Sequence, residues 1–131
     1  MNKNEVLDIF NKQFKELVED ISRVFPGNSD ISTFKMALPH IIFLSTKKIF
    51  KVYKKYVVEP YREQILAGDI NFFIDKDYKM DLNLGESSNI STLEKIDCLR
   101  GPIREMNQDE QTKVIKYMQN MSKLCDLYDQ L

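Results

Sequence analysis

Five lysines crowd into nine positions of this chain, Lys47, Lys48, Lys51, Lys54 and Lys55, within the run KKIFKVYKKY (47–56). At 100° per residue a helix gathers all five into an arc of roughly 120°, and Arg62 lies on the same arc if the helix continues. Ile49, Phe50, Val52, Tyr53, Tyr56 and Val57 fill the rest of the wheel. A row of ammonium groups beside an aromatic core face does binding chemistry rather than bond-breaking chemistry. It can neutralise phosphates without reading sequence, or it can meet carboxylates on a protein partner. It can also be a solvated face balanced by the chain's own acids. Against nucleic acid stand an isoelectric point of about 5.9 and the absence of exposed aromatics between the lysines, because Phe50, Tyr53 and Tyr56 point to the core.

Other reactive side chains are sparse. The single histidine, His40, follows Pro39 inside the apolar run ALPHIIFL, where a partly buried, satisfied ring is the expected state. Cys98 and Cys125 stand far apart, each in a predicted helix, and neither belongs to the close ligand pairs a structural zinc site uses. Neither has the glycine-rich or elbow-like setting of a nucleophile. Asp75, Asp77, Asp81 and Glu86 occupy positions 1, 3, 7 and 12 of a calcium-loop pattern. The pattern fails at Lys79 and Met80, where an oxygen ligand and a turn glycine are required. The four glycines are isolated, so no loop cradles a phosphate. The residues therefore point to no catalytic site, no metal and no cofactor.

The charged groups need a scaffold, and the chain is long enough for one. It has 131 residues, 43% of them hydrophobic, which supports a single packed domain over 1–131. Basic and acidic residues balance at 19 and 20, but unevenly. Residues 47–67 hold six basic and two acidic groups, and residues 68–99 hold three basic and seven acidic. Neighbouring blocks of opposite sign are expected to neutralise one another. No apolar segment is long enough to span a membrane. The polar start MNKNEVLDIF lacks a secretory core, so an intracellular, non-secreted protein with reduced thiols is expected.

Hydrophobic spacing predicts helices throughout. Val6, Phe10, Phe14, Leu17, Val18, Ile21 and Val24 mark an amphipathic helix over 4–25, stopped at Phe25-Pro26-Gly27. Asp30 is a candidate cap for a second helix carrying Ile31, Phe34, Met36, Ala37 and Leu38, bent at Pro39. Ser45 or Thr46 is expected to cap the lysine helix, with a kink at Pro60 and an end at Gly68. DINFFIDKDY reads as a short helix or a strand, with one or two helical turns favoured. Residues 79–90 form the predicted acidic loop. Ser91-Thr92-Leu93-Glu94 and Asn107-Gln108-Asp109-Glu110 look like capping boxes. In the last helix Val114, Met118, Met121, Cys125 and Tyr128 recur at steps of four and three. This seam of coiled-coil type packs either inside the domain or against another chain. The expected fold is all-α, a compact bundle of five to six helices with proline kinks.

The segments VFPGNSD (24–30), YVVEPYREQILAGDINFFIDKDY (56–78) and LEKIDCLRGPI (93–103) resemble a group of short uncharacterised proteins. These are encoded by large nucleocytoplasmic DNA viruses of algae and protists, the giant viruses. The resemblance runs from Phe10 to Tyr128 and brings no catalytic motif. It implies a viral protein acting in the host cytoplasm or packaged in the virion. Within these segments Tyr61, Phe72, Phe73 and Tyr78 are expected to cluster and lock the kink near Pro60. The function expected is a non-enzymatic helical protein working through protein–protein contacts with viral or host partners, or with a second copy of itself. The alternative is a nucleic-acid-associated protein binding phosphates through Lys47, Lys48, Lys51, Lys54, Lys55 and Arg62.

Overall fold

The computed structural model describes residues 1–75 and 87–131, with the backbone alone given for 87–90. Apolar residues at every third or fourth position coil the first segment into α1, Lys3–Val24. Asn2 and Glu5 close its first turn as a capping box, each side chain accepting from the other's backbone N–H. After the Pro26-Gly27 turn, α2 runs over Ser29–Leu44. Its cap is Asn28, whose Oδ1 accepts from the Ile31 N–H at 3.1 Å. The predicted cap, Asp30, already lies in the first turn, because the extended backbone needed at a cap belongs to Asn28. The helix continues through Pro39 to Leu44, and the carbonyl of Lys35, which loses its usual donor there, sits on an exposed residue.

Next comes one continuous rod: α3 (Lys48–Tyr53), a π-helical stretch (Lys54–Val58) and α4 (Glu59–Leu66). Neither Ser45 nor Thr46 caps it; the cap position is Lys47, without a side-chain bond. Thr46 is used differently, its carbonyl accepting from Nδ2 of buried Asn11 at 3.0 Å. The wide turn lies directly before Pro60, which has no N–H to offer the preceding turn. The kink expected at Pro60 appears one residue later, at Tyr61 (φ −127°, ψ 25°). Gly68, at φ +75°, ends the rod as a Schellman motif, with Asp69 N–H on Gln64 O and Gly68 N–H on Ile65 O.

The single turn α5 (Asn71–Ile74) buries Phe73, as the helical option for this segment predicted. Tyr61 stacks on Phe72 at 5.1 Å, and Phe72 meets Phe73 at 6.3 Å, so the aromatic cluster forms at the kink. Tyr78, its fourth proposed member, and the acidic positions from Asp77 to Glu86 lie outside the described residues. α6 spans Ser87–Asp97. It starts before the predicted Ser91–Glu94 box, so Ser91 is interior and accepts from Lys95 Nζ instead. The last four residues of the predicted loop are therefore helical. α7 (Arg100–Glu105) has Gly101-Pro102 in its first turn, and α8 (Gln108–Gln130) opens on the Asn107–Glu110 capping box.

The protein is all-α. With the rod counted once, the described residues form six helices besides the turn α5, and no strand. α1 packs against both α2 and α8. Phe10 is the hub, with its ring 5.2 Å from Phe50 and 5.6 Å from Tyr53, while Phe14 meets Phe34 at 5.9 Å. Two substitutions test this reading by urea denaturation. Phe10→Ala removes a fully buried ring and is expected to cost about 3–5 kcal/mol. Gly68→Ala has room for its methyl group but forces a left-handed residue, and should cost about 1–2 kcal/mol.

Candidate interaction surface

The basic ridge is the first surface to place. Ile49, Phe50, Val52, Tyr53, Tyr56 and Val57 are all buried, so the predicted core face is real, and Val58 joins it. The cations opposite are not one free row. Lys54 Nζ donates to Asp129 Oδ1 at 2.5 Å, and the Arg62 guanidinium pairs with Asp126. Both carboxylates belong to α8, which runs antiparallel to the rod here. Each pairing raises the pKa of its base, through the hydrogen bond first, against a smaller opposing effect of desolvation. Lys48 is half-buried, whereas Lys47, Lys51 and Lys55 are exposed. Neutralisation by the chain's own acids was foreseen, but α8 supplies these two acids rather than the segment 68–99. Only part of the predicted stripe is therefore open to a partner.

The seam resolves inward. Val114, Met118, Met121 and Cys125 are buried in the core, and Tyr128 packs half-buried on Phe50 at 4.7 Å. Of the five, only Tyr128 keeps part of its surface in water.

The thiols are placed for packing. Burial pushes the Cys125 thiol up to about 12 and the Cys98 thiol up to about 11, away from the thiolate form a nucleophile needs. His40 departs from expectation: it is exposed, on a face of α2 turned away from the core residues Ile31, Phe34 and Leu38.

That same face is the feature the sequence reading missed. Met36 is 81% exposed, Phe43 85% and Leu44 69%, the three most exposed large apolar side chains among the described residues. Pro39, Ile42 and Phe43 form the apolar wall of a groove of about 570 Å³ between α2 and α1. The α1 wall carries Asp8, Lys12, Lys15, Glu16 and Glu19, with Asn11 beneath. Asn11 is 4% exposed, and its Oδ1 has no hydrogen-bond donor among the described residues. A signal for this surface was present in the sequence. Ile41, Ile42, Phe43 and Leu44 are consecutive, so they cover most of a helical wheel. A helix packed along one side cannot bury them all.

No protein-family model matches the chain, and neither a curated protein nor a solved structure matches it. Among the described residues no helix is long and apolar enough to cross a membrane, and no cluster of His, Cys, Asp or Glu could hold a metal ion.

The two thiols, Cys125 buried and Cys98 half-buried, make stability depend on alkaline pH. The unfolded chain releases their protons near 9, whereas the folded chain holds them to about 11 and about 12. In that window the folded state binds more protons, so stability falls as pH rises. Lys54, with its pKa raised, and Tyr117, raised to about 12 mainly by burial, act in the same direction. The urea midpoint should decline steadily above about pH 9, and Cys125→Ala should make that decline shallower whatever it does to the midpoint at neutral pH.

Proposed function

We propose that this protein is a non-enzymatic interaction module that docks another protein surface through the outer face of α2. One observation carries the reading. Met36, Phe43 and Leu44, the three most exposed large apolar side chains among the described residues, all stand on α2. A cluster of this kind marks a contact surface more often than a defect of folding. The two thiols, held protonated by desolvation, support contact rather than catalysis. The viral setting, in the virion or as an accessory protein in the infected host, is part of the proposal and rests on the resemblance of residues 24–30, 56–78 and 93–103.

The competing reading places nucleic acid on the exposed Lys47, Lys51 and Lys55. These three sit at steps of four along one side of the rod, which favours contact with a run of phosphates. Site-specific photo-crosslinking in cells separates the two readings. A photoreactive analogue in place of Phe43 should give protein adducts, and one in place of Lys51 should give few adducts of any kind. Nucleic-acid adducts at position 51 with none at 43 would reverse the assignment. In parallel, Lys47→Glu, Lys51→Glu and Lys55→Glu together should leave the thermal midpoint within a few degrees. Any binding to duplex DNA that the triple variant abolishes should weaken steeply between about 50 and 200 mM salt.

A further inference from the structure

Resting on the docking face proposed above, we infer that its occupant is a second copy of this chain, the two copies meeting face to face about a two-fold axis. A two-fold contact is self-complementary: the protrusion and the recess it fills must lie on the same patch of one molecule. That condition is met here. Phe43 is a wall of the α1–α2 groove and also the most exposed large apolar side chain beside it. A helix seated in a groove reads as anchors at i, i+3 or i+4, and i+7. Met36, Pro39 and Phe43 have that spacing, so the chain carries both the groove and a helix of the type that fills it.

Charge agrees in sign. Beyond Asp30, α2 carries one ionised side chain, Lys35, and no acid. The α1 wall of the groove holds three carboxylates, Asp8, Glu16 and Glu19, against two lysines. An α2 helix from a second copy therefore brings positive charge to a wall with an acidic excess. The wall also holds the buried Asn11 Oδ1, an acceptor without a donor among the described residues. The ridge on the rod is not involved, which makes it an internal control.

Sedimentation velocity on the purified chain from about 5 to 100 µM tests the inference. The wild type is expected to shift from monomer to dimer over this range. Phe43→Glu should weaken association at least ten-fold, with helical circular dichroism and thermal midpoint unchanged at low concentration, since Phe43 supports no core contact. Lys51→Glu should dimerise as the wild type does. A dimer that survives Phe43→Glu, or a wild type monomeric at 100 µM, overturns the inference. The crosslinks at position 43 then locate the failure. A monomeric chain that still gives adducts to a different protein there refutes the second copy and keeps the docking face. A monomeric chain without adducts at 43 removes both.

Discussion

The contact between the Phe10 ring and the rings of Phe50 and Tyr53 sets the orientation of everything outside the core. With Phe50 and Tyr53 turned toward α1, the helical repeat leaves no choice for their neighbours. Lys47, Lys51 and Lys55 must point to water, and Lys54 must point toward α8, where Asp129 receives it. The Tyr53 hydroxyl, which donates to the Met118 carbonyl at 3.4 Å, ties the same residue to the middle of α8. One aromatic junction thus decides which cations are spent inside the molecule and which remain outside.

Most of the architecture was legible because its signals were periodic. The stripe from Val6 to Ile21, the Asn107–Glu110 box, the stop at Phe25-Pro26-Gly27 and Gly68 as a terminator all rest on local physics that tertiary context did not override. The misreadings have a common cause. Asp30 and Ser91 have good capping chemistry, but a cap also needs an extended backbone, and that is set by where the preceding turn ends. His40 was placed by the apolar run around it, yet whether an apolar face is covered depends on which helix arrives beside it. Patterning reports that a residue would gain from burial; it does not report that a neighbour exists. The ion pairs to Asp126 and Asp129 were hidden for the same reason, since they join positions more than sixty residues apart.

The two outer faces differ in what they ask of a partner. The ridge offers long, flexible, hydrated ammonium groups, whose exposed pairs contribute little and are weakened by salt. The α2 face offers an aromatic ring, a thioether and an aliphatic group on one helix, whose covering removes apolar surface from water. A contact made through such groups would tolerate salt, with the charged wall of α1 setting direction rather than strength.

The wide turn at Lys54–Val58 has a consequence for how the rod tolerates change in length. A π-helical turn holds about one residue more than the coil around it, so it accommodates a surplus residue without breaking the backbone ladder. If the same five residues tightened to ordinary α-helical pitch, the following half would swing by about a quarter turn. Arg62 would then leave Asp126, and the carbonyl of Ile65 would leave the Gln119 amide that now holds it. The wide turn acts as a phase setting: it keeps the two halves of the rod facing the same helix.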